Sequence, residues 1–159
     1  MQVTPNSLFS NLVRYSFSCY VSARVLTSIT FLAETHLQLP NEPNHPLITE
    51  ELDFSRNYVG DRGLVPIIKV LELCPMLKVL RLKNNGLRNK SIEALCTSLK
   101  QNPGSLCRLD LSHNYISTGA GKQLEALLKE NTTVREINLE ATKIEPEIRI
   151  RIMDTLAKR

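Results

Sequence analysis

Four stretches of this chain read alike: LDFSRNYV at 52–59, LRLKNNGL at 80–87, LDLSHNYI at 109–116 and INLEATKI at 137–144. Three of them carry Asn57, Asn85 and Asn114 at one common place, and the fourth carries Thr142 there, at spacings of 28, 29 and 28 residues. A fixed period of that size is the signature of a solenoid, in which each unit closes its core only by stacking on the next. The period also constrains function, because a solenoid offers an extended face rather than a deep catalytic cleft.

The Asn serves as a register mark for everything around it. Apolar residues stand five and three positions before it: Leu52 and Phe54, Leu80 and Leu82, Leu109 and Leu111, Ile137 and Leu139. Another stands two positions after: Val59, Leu87, Ile116 and Ile144. Such alternation predicts a short strand with these side chains directed inward. Ten and fourteen positions after the mark come Ile67 and Leu71, Leu95 and Leu99, Leu124 and Leu128, Ile152 and Leu156. An i, i+4 pair marks one face of a helix, so each unit reads strand, loop, helix. The fourth unit keeps the helical pair although its mark is Thr142. Asn57, Asn85 and Asn114 are therefore expected to be structural ladder residues, whose amides satisfy backbone groups buried at the turn out of the strand.

The pattern LxxLxLxxNxL followed by a helical half resembles the ribonuclease-inhibitor class of leucine-rich repeats, over about residues 49–158. That class includes the Ran GTPase-activating protein, tropomodulin-like repeats and the repeats of nucleotide-sensing receptors. The resemblance implies an α/β solenoid with a parallel sheet on the concave side, and it implies a binder without naming what is bound. The phrase NYVGDRGLVPIIKVLELCP at 57–75 is also similar to repeats of flagellar and cytoskeletal proteins of protists.

The expected organisation is a segment at 1–48, then four repeats over 49–159, at about 49–76, 77–105, 106–133 and 134–159. The segment falls outside the period. Leu8, Leu12, Tyr15 and Cys19 form a helical pattern, and Pro40, Pro43 and Pro46 enforce an irregular linker. Its reading is an N-terminal cap. The competing reading is a mitochondrial presequence, since the chain up to Ala33 has arginines and serines but no acid. At the other end Pro146 opens a last helix, whose Arg149, Arg151, Lys158 and Arg159 suit a terminal cap.

At 159 residues, with 42% apolar residues, the chain is long enough for one continuous core. Its net charge of +4 is concentrated locally. Residues 78–108 hold Lys78, Arg81, Lys83, Arg88, Lys90, Lys100 and Arg108 against one acid, Glu93. The cysteines, 19, 74, 96 and 107, form no CxxC pair and read as free buried thiols in a reducing compartment. His36, His45 and His113 have no ligand-like spacing to them, so no metal or other cofactor is expected. The most apolar stretch, Phe17 to Ala33, is broken by Arg24, and no membrane span is expected.

Catalytic patterns are absent from the sequence. STGAGK at 117–122 lacks the spacing of a phosphate loop and reads as the loop-to-helix turn of the third unit, like Gly60, Gly63 and Gly86 elsewhere. The adjacent Glu50 and Glu51 would point to opposite faces of a strand, not to one substrate. Chemistry is expected instead on the strand face. Asp53, Arg81, Asp110 and Asn138 lie between the inward leucines. Glu51, Val79, Arg108 and Glu136 flank them on one side, and Ser55, Lys83, Ser112 and Glu140 on the other, with Lys78 close by. The candidate partner-binding residues are thus Asp53, Lys78, Arg81, Lys83, Arg108, Asp110 and Asn138. Mixed charge suits a protein partner with an acidic or mixed-charge surface. Nucleic acid would prefer a continuous basic track with stacking aromatics. The expectation is a non-enzymatic interaction module, a scaffold or docked subunit of a cytoplasmic, cytoskeletal or ciliary assembly. Two readings compete with it: GTPase activation of the Ran type, and a subunit of a ribonucleoprotein, such as a mitochondrial one, using the basic stretch from Lys78 to Arg108.

Overall fold

The computed structural model describes residues 50–159. The expected cap or leader at 1–48, with Cys19, His36 and His45, lies outside them. Strands and helices alternate without exception: β1 (Glu51–Asp53), α1 (Gly60–Leu73), β2 (Val79–Arg81), α2 (Asn89–Gln101), β3 (Arg108–Asp110), α3 (Thr118–Glu130), β4 (Glu136–Asn138) and α4 (Pro146–Ala157). The strands form one parallel sheet in chain order. Leu52, Leu80, Leu109 and Ile137 stand in register across it. Each helix packs against the next, α1 on α2, α2 on α3 and α3 on α4.

The inward rows expected from the sequence are the core. The four strand-centre residues, the row from Phe54 to Leu139 and the row from Val59 to Ile144 are all buried. So are the helical residues Ile67, Leu95, Leu124 and Ile152. Leu99 and Leu128 are buried as well, whereas Leu71 and Leu156 are only partly so. Those two belong to α1 and α4, which each have one neighbouring helix among the described residues.

The single 29-residue spacing has a local cause. The loop after α2 runs over 102–107, where the corresponding loops run over 74–78 and 131–135. The longer loop carries Gly104 in the left-handed region at φ 52°. The residue before each register mark also takes that conformation: Arg56, Asn84, His113 and Ala141 have φ between 52° and 59°. This recurrent kink turns the chain out of the strand, and it recurs with four different side chains.

The glycines divide into two roles rather than one. Gly60 and Gly86 sit at φ 60° and 70°, where a side chain is strained. Gly121 lies inside α3, and a Cβ there would come within 2.8 Å of Ile144 Cγ2 and 2.9 Å of Ile148 Cγ2. It lets α3 close on the fourth unit. At the C-terminal end Pro146 occupies the first turn of α4. Arg149 donates to the carbonyl of Thr142, and Arg159 donates to the carbonyls of Val134 and Leu128. These arginines satisfy carbonyls of the last units.

Candidate functional site

The sheet exposes two side chains per strand on either side of the buried centre. They are Glu51 and Asp53, Val79 and Arg81, Arg108 and Asp110, Glu136 and Asn138. The cations among them are matched by acids from the neighbouring unit. Arg81 donates to Glu51, and Arg108 pairs with Glu136 at 3.1 Å. Just before the strands, Lys78 pairs with Glu50 at 2.7 Å. Glu50 and Glu51 therefore do face different partners. Lys83, half-buried, finds no carboxylate among the described residues.

Asp53, Asp110 and Asn138 share a role that residue type alone did not reveal. Each Oδ1 accepts the backbone N–H two residues on: Ser55 at 2.8 Å, Ser112 at 2.9 Å and Glu140 at 3.0 Å. They close a small turn at the strand end and still present a polar group at the surface. Ser112, expected beside them on the face, is instead fully buried. The wider band of Ser55, Lys83, Ser112 and Glu140 is thus interrupted in the third unit.

Behind the face runs the asparagine ladder. Asn85 Oδ1 accepts the N–H groups of Asn57 at 2.9 Å and Val59 at 3.4 Å, and its Nδ2 donates to the Phe54 carbonyl at 2.8 Å. Asn114 repeats the pattern, accepting from Asn85 at 2.9 Å and Leu87 at 3.1 Å, and donating to Leu82 at 2.9 Å. Asn57 donates to Ser55 at 3.1 Å, and its buried Oδ1 has no hydrogen-bond partner among the described residues. Thr142 turns its hydroxyl to the Leu139 carbonyl at 2.7 Å, so the ladder stops there.

A second ladder stitches the strand-to-helix loops, four positions after the mark. Asp61 Oδ1 accepts the N–H of Arg88 at 2.9 Å and the hydroxyl of Ser91. Asn89 accepts from Ser117 N–H at 2.8 Å, and Thr118 from Glu145 N–H at 3.3 Å. Asp, Asn and Thr share only an acceptor oxygen, so no repeated letter betrays the row. The loops of this edge bound a shallow open groove lined by Asp61, Arg88, Asn89, Lys90, Tyr115 and Lys143. Tyr115 is 65% exposed in it, and Tyr58, at the matching place of the first unit, is 82% exposed. These residues were not among the expected site residues. The recurrence of Tyr one position after the mark was the available signal.

The buried thiols lie apart from these surfaces. Burial pushes Cys74 up to about 11 and Cys96 up to about 12. Cys107 is half-buried, and its thiol donates to the Lys78 carbonyl at 3.2 Å. Among the described residues no group of His, Cys, Asp and Glu side chains converges to hold a metal ion. No helix among them is long and apolar enough to cross a membrane.

Comparison with known proteins bears on the repeats. A family described as Leucine Rich repeat matches residues 50–67 and 73–96, which span the first two units. An alignment over 102 positions, covering 61% of the chain, is 32% identical to the photoactivated adenylate cyclase subunit alpha of Euglena gracilis. The match spans 9% of that protein's length. With the repeated strand-and-helix units and the four-stranded parallel sheet, these observations establish the fold as a leucine-rich repeat solenoid.

Proposed function

We propose that this chain is a protein-interaction module that docks its partner on the exposed side of the parallel sheet, as a scaffold or subunit of a larger assembly. Leucine-rich repeats bind protein partners, which is the general ground for the reading. The specific ground is the chemistry of the face. Its charges are of both signs and are held in pairs between neighbouring strands, Glu51 with Arg81 and Arg108 with Glu136. Charges fixed in known places discriminate among partners by complementarity. The same pairing opposes the ribonucleoprotein reading, because Lys78, Arg81 and Arg108 each have a carboxylate neighbour and do not form a bare basic track.

Within the leucine-rich repeats this reading favours the ribonuclease-inhibitor class, and the α-helix of 12 to 14 residues in each described unit supports it. A cytoskeletal or ciliary assembly in the cytoplasm is the setting this reading adopts, from the likeness of residues 57–75 to flagellar repeats. The cyclase activity in the relative's name is not carried over, since the likeness covers so little of that protein.

The test is affinity capture from the native extract with mass spectrometry. The wild type is compared with an Arg81→Glu, Arg108→Glu variant and with a variant altered on the helices, Lys122→Glu with Lys129→Glu. The expected result is a set of proteins that the sheet variant loses and the helix variant keeps. Recovery of the same set by the sheet variant would move the interface off the sheet.

A further inference from the structure

We infer that the groove along the strand-to-helix loops is a second contact surface, which takes an acidic extended segment of a protein partner. The inference rests on the reading of the chain as a protein-binding module and adds a site beside the sheet. The groove is built from all four units: Asp61 from the first, Arg88, Asn89 and Lys90 from the second, Tyr115 from the third and Lys143 from the fourth. It therefore exists only when the units are stacked. Four rungs at sheet spacing run about 15 Å, the reach of about five extended residues.

The charges of this groove differ from those of the sheet face. Arg88, Lys90 and Lys143 are exposed, and none has a carboxylate partner among the described residues. The one acid, Asp61, is engaged: its Oδ1 takes the Arg88 N–H and the Ser91 hydroxyl. Three cations thus line the groove together with an aromatic ring that is about two-thirds exposed, and Oδ1 of the one carboxylate in the lining is taken up by two donors. An exposed tyrosine among cations offers an apolar surface, a hydroxyl donor and charge complementarity together. That combination fits a carboxylate-bearing segment with an apolar residue to lay on Tyr115.

Single-stranded nucleic acid also uses cations with aromatics. The surroundings favour the peptide. Glu145 lies on the same loop edge, and the adjoining sheet face carries Glu51, Asp53, Asp110, Glu136 and Glu140. A phosphate backbone would lie near acids in the first, third and fourth units, whereas a peptide places its few carboxylates only at the cations.

The test uses the full chain and a labelled disordered peptide of Glu and Asp with one central Leu. Controls are the same peptide with Gln and Asn, and an oligouridylate. The expected result is saturable binding of the acidic peptide that weakens with salt, and at least tenfold weaker or no binding of the neutral one, about 1.4 kcal/mol. Arg88→Glu with Lys143→Glu, and separately Tyr115→Ala, should each weaken it about tenfold. The gentler Arg88→Gln, Lys143→Gln variant should weaken it in the same direction with an unchanged melting curve. Binding lost with Arg81→Glu, Arg108→Glu but kept by the loop variants would overturn the groove while leaving the module reading intact. Tighter binding of oligouridylate than of the acidic peptide would overturn the ligand class. No binding of the acidic peptide by the wild type would overturn the inference outright, whereas the sheet reading stands or falls on the capture experiment.

Discussion

The side-chain oxygen of Asn85 accepts the backbone N–H of Asn57, 28 residues earlier, at 2.9 Å. One amide therefore joins two units at the place where the chain leaves each strand. Asn85 is fully buried, and its Nδ2 returns a bond to the Phe54 carbonyl. Truncation leaves the groups of both units without partners. Asn85→Ala should cost about 1–3 kcal/mol, read from urea denaturation. Thr142→Ala should cost less, because Thr142 bonds within its own loop. Asn57→Ala should also cost less, since that amide makes a single bond among the described residues, to Ser55. Equal losses at all three positions would contradict the ladder.

Gly121→Ala would ordinarily help a helix, by up to about 1 kcal/mol. Here the new methyl meets the branched carbons of Ile144 and Ile148 below 3.0 Å. Overpacking of that kind costs about 1–3 kcal/mol, so the net effect should be destabilising. Gly119→Ala meets only the end of Asn89 and should change stability far less. Thermal melts of the two variants separate packing from propensity.

The lateral ion pairs of the sheet are exposed, with both Arg108 and Glu136 about two-thirds accessible. A double-mutant cycle on this pair should give a coupling below about 1 kcal/mol that shrinks with salt. Charge reversal on the face should accordingly leave the fold intact, which is what allows binding to be tested there without unfolding the chain. A coupling of several kcal/mol would make the pair a structural element rather than a recognition one.

Arg151 hydrogen-bonds Glu125 and joins α4 to α3. The bond and the positive charge hold the Glu125 carboxyl below its ordinary value. A depressed carboxylate stabilises the fold above its unfolded pKa, about 4.3, and that contribution disappears as pH falls through the folded value. NMR titration of Glu125 should show a midpoint below the usual range that returns to it in Arg151→Met. An unchanged midpoint in that variant would remove Arg151 as the cause.

Limited alkylation should distinguish the thiols of the repeats. Cys74 and Cys96 are buried with pKa raised to about 11 and about 12, so little thiolate forms near neutral pH. Cys107, only half-buried, should label first in the native protein. Labelling of Cys96 before Cys107, read by peptide mass mapping, would contradict the packing of α2.

The fold was legible because its rule repeats in kind: leucines in the strand, an amide after it, an i, i+4 pair in the helix. The second ladder was not legible, because Asp61, Asn89 and Thr118 share an acceptor but not an identity. Nor was the charge pattern of the face. Counted along the chain, residues 78–108 are strongly basic. Counted across the sheet, Lys78, Arg81 and Arg108 meet Glu50, Glu51 and Glu136 from units on either side. Linear counting misses such compensation because parallel stacking brings residues about one period apart into contact. The left-handed residues Arg56 and Ala141 were equally hidden, since neither is a type that favours that conformation, unlike Asn84 and His113 at the same place of the other units. The groove at the loops escaped for a related reason: its lining residues come from four separate units.

The central claim is that the sheet side meets the partner. A photo-crosslinking amino acid placed at Val79, on the exposed side of β2, and another at Lys129, on the exposed surface of α3, test it directly in the native extract. Val79 is suited to this because it lies within the row of strand residues yet takes part in neither the ion pairs nor the turn-closing bonds. The account expects a discrete crosslinked protein from position 79 and none from position 129. Crosslinking of the same protein from position 129, with none from position 79, would contradict it.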